Sequence, residues 1–204
     1  MDLTDKGVDE AYEAGRRLLE EKIPIDVVHT SVLVRAIRTV DATLHACGRS
    51  WVPVYKHWRL NERHYGALQG FNRAEMAAIH GADQVRLWRR SYDVRPPMLE
   101  EDDERHPKFD PRYQYLAPDL LPRGECLKDV LMRMLPYFFD AIVPDLMAEK
   151  NVLVSAHGNS LRAMIKHLDN IGDEEILDLE IPNGVPIIYD FDENFKPDTT
   201  LQLD

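Results

Sequence analysis

Cysteine is scarce in this sequence. Its 204 residues include only Cys47 and Cys126, too few for a disulfide framework and without the spacing of a metal-binding pair. We therefore expect both thiols to be small core side chains in a protein of a reducing compartment, with the cytoplasm as its location. Because no set of His, Cys or carboxylate residues has metal-site spacing either, no metal is expected. A glycine-rich nucleotide loop is also absent.

Long apolar runs and an excess of basic residues are missing as well. The most apolar helical region, residues 130–147, is interrupted by charged residues and prolines, among them Arg133 and Pro136. The sequence therefore predicts no helix that spans a membrane, and its acidic N-terminal residues lack the apolar stretch of a secretory signal. The formal net charge of -11 argues against nucleic acids and acidic membranes as partners, because binding them needs a basic surface.

What the sequence does contain is an ordinary globular composition, with 44% apolar and 30% charged residues. Its length fits a single domain over residues 1–204. Apolar strand-like stretches alternate with segments of helical periodicity, and this alternation predicts a three-layer α/β sandwich with a mostly parallel central sheet flanked by helices. The strands are expected near residues 25–31, 51–60, 151–156 and 184–192, and the helices after Thr4, over 33–46, 75–91 and 126–147, and after His157. The Pro- and charge-rich residues 92–122 are expected to form a long ordered excursion.

Residues 151–164, NVLVSAHGNSLRAM, combine an apolar strand with a His-Gly pair and the beginning of a helix. A lone histidine at a strand end is commonly a structural hydrogen-bonding residue. In α/β sheets, however, ligands bind at the carboxyl ends of strands. Gly158 permits close backbone approach, Asn159 can cap the next helix, and helix N-termini attract anions. His157 is therefore a candidate to stabilise a phosphoryl oxygen or to accept the group itself.

Arginines are clustered in this acidic chain, which suits a small anion better than a polyanion. Arg35 follows the strand of residues 25–31, so it is expected in the same crevice as His157. Arg89 and Arg90 form a pair on a predicted helix; such a pair is usually a solvated face, but a recruited pair would neutralise a dianion through paired hydrogen bonds. With Arg73 also available, a multiply charged phosphate ester is a sensible ligand.

The segment NERHYGALQG, residues 61–70, places polar groups beside two glycines. A surface turn is the simple interpretation of this pattern. The alternative is a loop shaped around a ligand, in which Glu62 acts as a general acid/base and Tyr65 donates a hydrogen bond to the substrate.

Several motifs, taken in order, resemble one family closely. TSVLVRAIRT, LNERHYGALQG, QVRLWRR, DPRY, AHGNSLRA, LDN and EIPNGVPIIYDFDENFKP are similar to the cofactor-dependent phosphoglycerate mutases of the histidine phosphatase superfamily, from Asp2 to about Pro197. The resemblance implies interconversion of 3-phosphoglycerate and 2-phosphoglycerate through a phosphohistidine, primed by 2,3-bisphosphoglycerate and without a metal. It also implies small phosphoglycerates as the binding partners and a homodimer or homotetramer as the assembly.

The resemblance also implies roles for individual residues. Glu62 matches the acid/base that moves the hydroxyl proton of the substrate, and His157 matches the second histidine, which stabilises the phosphoryl group in transfer. Arg35, Arg89 and Arg90 match ligands of phosphate and carboxylate. Positions that line the substrate are matched by Arg63, His64, Tyr65, Gly158 and Asn159, and Arg73 stands where relatives often have lysine.

One part of the family pattern has no counterpart in this sequence. The family opens with an apolar strand that leads to an Arg-His-Gly motif, whose histidine is the nucleophile, and no Arg-His-Gly occurs here. We therefore expect an N-terminally truncated domain without the first, central strand. Three interpretations follow: a mutase whose start lies upstream of the given sequence, a catalytically inactive remnant or pseudoenzyme that at most binds phosphoglycerates, and a phosphatase of the superfamily. Residues 61–70 and the Arg89-Arg90 pair disfavour the phosphatase.

Overall fold

A computed structural model describes residues 2–203, with the side chain of Arg73 outside the described part. The helices and strands follow one another in the order α1 (Asp5–Glu20), β1 (Val27–Thr30), α2 (Val34–Ala46), β2 (Val54–Lys56), α3 (Arg73–His80), α4 (Ala82–Arg90), α5 (Leu127–Tyr137), α6 (Val143–Met147), β3 (Val152–Ser155), α7 (Gly158–Leu168), β4 (Ile187–Phe191) and β5 (Pro197–Gln202).

The parallel sheet is the centre of the fold. Its strand order is β2-β1-β3, and β1 pairs in parallel with both neighbours, for example Val28 with Val54 and with Leu153. Along β3, Leu153 packs against the apolar cluster of α1 and α2, whereas Val152 and Val154 pack against the cluster of α5 and α7. Since both faces of the sheet are covered by helices, the predicted α/β architecture with a parallel sheet is confirmed.

Helix α1 begins and packs as its sequence predicts. The side chain of Thr4 caps it by accepting a hydrogen bond from the Gly7 amide at 3.1 Å. Gly15 lies where α1 crosses α2, and a Cβ atom there would be 2.4 Å from the Thr43 carbonyl oxygen. The absence of a side chain at Gly15 therefore sets how closely the two helices approach.

Three elements differ from the predictions. Residues 51–60 are not one strand, because only Val54–Lys56 form β2 and Trp58–Leu60 form a short helical turn. The predicted strand of residues 184–192 does not join the parallel sheet, because β4 forms a separate antiparallel hairpin with β5. Residues 126–147 are not one continuous helix, since a π-helical turn at Phe138–Ile142 separates α5 from α6. Pro144 explains this interruption, because proline has no amide hydrogen to donate to the preceding turn.

Strand β3 is paired on one side only. Its four residues hydrogen-bond to β1, and within residues 2–203 no strand pairs with its other edge. All four residues of β3 are half-buried, whereas all four of β1 are buried. The parallel sheet is therefore fully enclosed at β1 and open along β3.

The other expectations about segments are met. Residues 92–122 form the predicted ordered excursion, with short helical turns at Pro107–Phe109, Pro111–Tyr113 and Pro118–Leu120. Leu99 fastens this excursion to the core, since it is buried and its amide donates to the Arg123 carbonyl at 2.9 Å. Cys47 and Cys126 are free and buried, as predicted. None of the described helices has the length and apolar character needed to cross a membrane.

Candidate active site

The carboxyl ends of β1 and β3 meet at one edge of the sheet, because the two strands are parallel neighbours. Ser31 follows β1 and His157 follows β3, and the Ser31 Oγ lies 2.8 Å from the His157 Nε2. The Arg35 Nε donates to the His157 Nδ1 at 3.1 Å. The structure thus places Arg35 and His157 in the same crevice, as their places after the two strands predicted, and brings them into direct contact. Ser31 was not predicted as part of this arrangement.

His157 is held as a neutral imidazole. It is 6% exposed, and burial, followed by the charges of Arg35 and Arg133, lowers its pKa to about 3. Because its Nδ1 accepts from Arg35, the ring proton of the neutral form is on Nε2, which donates to Ser31. The His157 amide also donates to the Ser160 Oγ at 2.9 Å, which fixes the residue at the beginning of α7.

Arg35 keeps most of its binding capacity. Only its Nε is used within residues 2–203, so the two terminal nitrogens have no hydrogen-bond partner and no carboxylate lies close enough for an ion pair. A guanidinium group with a free terminal fork beside a neutral imidazole can bind an oxyanion through paired hydrogen bonds.

Glu62 lies in the loop between the turns Trp58–Leu60 and Gly66–Leu68. Its Oε1 accepts a hydrogen bond from the Arg63 amide at 2.7 Å. The neighbouring Asn61 connects this loop to the end of β1, because its Oδ1 accepts from the Val32 amide at 3.1 Å. The loop is therefore joined to the strand end that carries Ser31.

His64 faces its own loop. Its Nδ1 accepts from the Gly66 amide at 3.1 Å, and burial is the main reason why its pKa is lowered. The structure thus shows His64 in a structural contact at a position that the resemblance assigns to the substrate.

Tyr65 brings three parts of the chain together. Two guanidinium groups lie over its ring, with the Cζ of Arg63 at 4.7 Å and that of Arg89 at 4.9 Å from the ring centroid. The Asn159 Nδ2 donates to its hydroxyl oxygen at 2.9 Å. In the described residues the hydroxyl has no acceptor for its own hydrogen, so it can donate to a ligand.

Two arginines beside Tyr65 are buried without an ion pair among the described residues. Arg63 is 2% and Arg162 is 5% exposed, and neither pairs with a carboxylate among the residues that the structure describes. The Nε and Nη1 of Arg63 and the Nε of Arg162 have no hydrogen-bond partner. Burial, with the charges of Arg90 and Arg63, lowers the pKa of Arg162. An anion at this cluster would relieve the repulsion.

Arg162 was missed by the sequence analysis, although it lies within the AHGNSLRA motif. Its Nη1 donates to the Asn159 Oδ1 at 3.2 Å, and its Nη2 donates to the Ile176 carbonyl. Since Asn159 and Arg162 are three residues apart on α7, they share one helix face. That spacing was the signal that could have identified Arg162.

The other predicted residues lie at the edge of this site or outside the description. Arg90 pairs with Glu180 at 2.8 Å near the surface. Gly158 is the first residue of α7, and a Cβ atom there would meet nothing within 4 Å, so space is open at this helix N-terminus. The side chain of Arg73 lies outside the described residues. The described part contains no group of His, Cys, Asp or Glu placed to hold a metal ion.

The sequence of this chain was compared with known protein families and proteins. A model described as "Histidine phosphatase superfamily (branch 1)" matches residues 1–116 and 98–197. Among the similar proteins is a 2,3-bisphosphoglycerate-dependent phosphoglycerate mutase of Thermobifida fusca (strain YX). It is 56% identical over 200 residues, which are 98% of this chain and 81% of the relative.

Solved structures agree on the fold. A mycobacterial glucosyl-3-phosphoglycerate phosphatase superposes with a TM-score of 0.65 at 21% identity, over 90% of this chain and 78% of its own. A phosphoglycerate mutase of Bacillus anthracis superposes with a TM-score of 0.53, also at 21% identity, over 83% of this chain and 69% of its own. Both likenesses concern the fold alone, because identity this low does not carry over an activity.

Proposed function

Because the chain belongs to branch 1 of the histidine phosphatase superfamily, we propose that it interconverts 3-phosphoglycerate and 2-phosphoglycerate, with 2,3-bisphosphoglycerate as the primer of a phosphohistidine. The name of the 56% identical relative supports this reaction. The structural observation that carries the proposal is the pair of buried arginines, Arg63 and Arg162, that form no ion pair among the described residues and keep unpaired nitrogens.

The physical argument concerns charge. Burying an unpaired guanidinium group is unfavourable, and Arg63 and Arg162 keep three nitrogens between them without partners. A phosphoglycerate carries a phosphate and a carboxylate, so one molecule can bind both to Arg35 beside His157 and to the arginines around Tyr65. Glycerol 3-phosphate lacks the carboxylate and can satisfy only one of these two groups.

We assign the proton and phosphoryl steps to residues of this site. Glu62 takes the proton from the O2 hydroxyl of 3-phosphoglycerate as that oxygen attacks the phosphohistidine, and this transfer gives 2,3-bisphosphoglycerate and a free histidine. The histidine then takes the phosphoryl group from O3, and Glu62 returns the proton to O3, so that 2-phosphoglycerate and the phosphohistidine are formed. His157 and Arg35 stabilise the charge on the phosphoryl oxygens during transfer. The resemblance places the carrier in an Arg-His-Gly segment, which does not occur among the 204 residues, so binding and turnover are tested separately. A homodimer or homotetramer stays a prediction.

Calorimetric titration tests binding. We expect 3-phosphoglycerate to bind one molecule per chain at least about tenfold more tightly than glycerol 3-phosphate, a difference of about 1.4 kcal/mol. Equal affinities for the two ligands would contradict the assignment of the arginine cluster to the carboxylate.

Turnover distinguishes the mutase from its alternatives. Formation of 2-phosphoglycerate that depends on added 2,3-bisphosphoglycerate, together with acid-labile phosphohistidine, would support the proposed reaction. Release of inorganic phosphate faster than isomerisation would favour the phosphatase. Binding of 3-phosphoglycerate without turnover would overturn the catalytic proposal for this chain and favour the non-catalytic interpretation.

A further inference from the structure

The loop that carries Glu62 has little regular structure to pair its backbone. Buried carbonyl and amide groups must nevertheless find partners. Here the guanidinium group of Arg133, on α5, supplies the partner for three of the loop carbonyls. It donates to the carbonyl oxygens of Arg59 at 2.5 Å, Asn61 at 2.9 Å and Glu62 at 3.3 Å. One side chain thus contacts the backbone of this loop at three residues up to and including Glu62.

Glu125 completes the arrangement from the other side of Glu62. Its carboxylate accepts from the Arg133 Nε at 2.7 Å and Nη2 at 3.2 Å, and from the His64 amide at 2.8 Å. The Glu125 amide donates to the His64 carbonyl at 2.8 Å. The Arg133 and Glu125 side chains are 9% and 8% exposed. This buried pair therefore holds the backbone on both sides of Glu62.

A second ion pair that involves α5, between Arg95 and Asp129, does not bind the backbone of the Glu62 loop. Arg95 donates to both oxygens of Asp129 at 2.6 and 2.5 Å, but Arg95 is 54% exposed and the pair makes no contact with the Glu62 loop. A buried ion pair is weak evidence for stability, since apolar side chains of similar volume often serve as well. What apolar side chains cannot do is hold carbonyl and amide groups in place.

The same network reaches His157. The Asn61 carbonyl is bound by Arg133, and the Asn61 side chain binds the Val32 amide, one residue after Ser31. Ser31 in turn contacts His157. A continuous set of hydrogen bonds therefore connects the Glu62 loop with the histidine at the sheet edge.

We propose that Glu125 and Arg133 are positioning residues, which fix Glu62 relative to His157 by holding the backbone of residues 59–64. This proposal rests on the proposed function in one respect only, which is that Glu62 acts as the acid/base. The positioning itself is a statement about the order of the loop and can be measured without turnover.

Arg133→Lys tests the proposal, because lysine keeps the charge opposite Glu125 but has a single nitrogen and cannot bind three carbonyls and a carboxylate together. We expect amide hydrogen exchange at residues 61–64 to accelerate at least tenfold while exchange in β1 stays unchanged. We also expect kcat to fall about 100-fold, since small misplacements of a catalytic group cost this much, with KM for 3-phosphoglycerate changed less than about threefold.

Arg95→Lys is the matched control, because it makes the same change in an ion pair that does not contact the loop. It should leave loop exchange and kcat unchanged. If Arg133→Lys leaves exchange at residues 61–64 unchanged, or accelerates exchange equally in β1, the positioning role is wrong whatever the turnover. Local acceleration of exchange in a chain whose parent shows no mutase turnover would support the positioning role and contradict the proposed function alone.

Discussion

Two sets of buried charges lie near Glu62, and they differ in how fully their polar groups are paired. Glu125 and Arg133 satisfy one another and four backbone groups of the loop. Arg63 and Arg162 are equally buried, yet they have no carboxylate partner among the described residues and keep unpaired nitrogens. The first set is complete in the unliganded chain, whereas the second is complete only with an anion.

We therefore assign a structural role to Glu125 and Arg133 and a ligand-binding role to Arg63 and Arg162. Removing one member of a buried ion pair is destabilising, because the other charge is left buried without a partner. An unsatisfied buried cation costs free energy in the unliganded chain, and it returns that free energy when an anion binds. The same substitution should therefore have different consequences in the two sets.

The largest effect is expected from Arg133→Met. It leaves the Glu125 carboxylate buried without its partner, and we expect the free energy of unfolding to fall by about 3–5 kcal/mol. Urea denaturation measures this change. The exposed Arg95→Met should cost less than about 1 kcal/mol. If Arg133→Met also lowered the free energy of unfolding by less than about 1 kcal/mol, the buried Glu125–Arg133 pair would not differ from an exposed pair, and the comparison would fail.

The second prediction concerns pH and His157, whose folded-state pKa of about 3 lies below its ordinary value of 6.5. The unfolded state then binds the proton more readily, so stability is present above pH 6.5 and is lost as the pH falls towards 3, by about 1.4 kcal/mol per pH unit. Urea midpoints between pH 7 and 4 measure this loss. His157→Gln should show a shallower decline than the parent, and identical slopes would refute the buried neutral state.

The third prediction is for Arg63→Met, which repeats the chemical change of Arg133→Met in the unpaired set. The Arg63 side chain makes one hydrogen bond, to the Arg89 carbonyl at 3.1 Å, so we expect stability to change by less than about 1.5 kcal/mol. Binding of 3-phosphoglycerate should weaken by about 1.5–3 kcal/mol, the range for hydrogen bonds to charged groups. Calorimetry and urea denaturation of the same preparation give both numbers. A large loss of stability with unchanged affinity would reverse the assignment.

The smallest effect is expected from Tyr65→Phe. It removes the hydroxyl that accepts from Asn159 and is free to donate to a ligand, while the ring that contacts Arg63 and Arg89 stays. We expect affinity for 3-phosphoglycerate to fall by about 0.5–1.5 kcal/mol. Tyr115→Phe is the control, since Tyr115 is well exposed. An equal effect of the two changes would show that the Tyr65 hydroxyl does not contact the ligand.

The sequence predicted the parts of the fold and site that depend on local pattern. Val27–Thr30 and Val152–Ser155 were recognisable as buried strands, and parallel strands place their carboxyl ends together. That rule places Arg35 and His157 in one crevice, and the structure shows in addition that they are in contact. Thr4 was recognisable as a cap for the same kind of local reason.

The missed features depend on contacts between distant residues. The Arg133 guanidinium binds carbonyls more than 70 positions away in the sequence. Helical periodicity predicts on which face of α5 Arg133 lies, but not which residues that face contacts. Arg162 shares a helix face with Asn159, but its second contact, with the Ile176 carbonyl, lies outside α7 and could not be read from the helix pattern. Strand β5 was missed because PDTTLQ is mostly polar and exposed, so it carries no alternation of apolar and polar residues.

The most direct test of the central claim is the free energy of unfolding of the parent chain and of Arg63→Met, each with and without 3-phosphoglycerate. At a concentration of about 100 times the Kd of the parent chain, the ligand should stabilise the parent by about 2.7 kcal/mol. The same concentration should stabilise Arg63→Met by less than about 1.5 kcal/mol, because its affinity is at least tenfold lower. Equal stabilisation of the two chains would show that the buried unpaired arginine does not bind the phosphoglycerate, and would contradict the account.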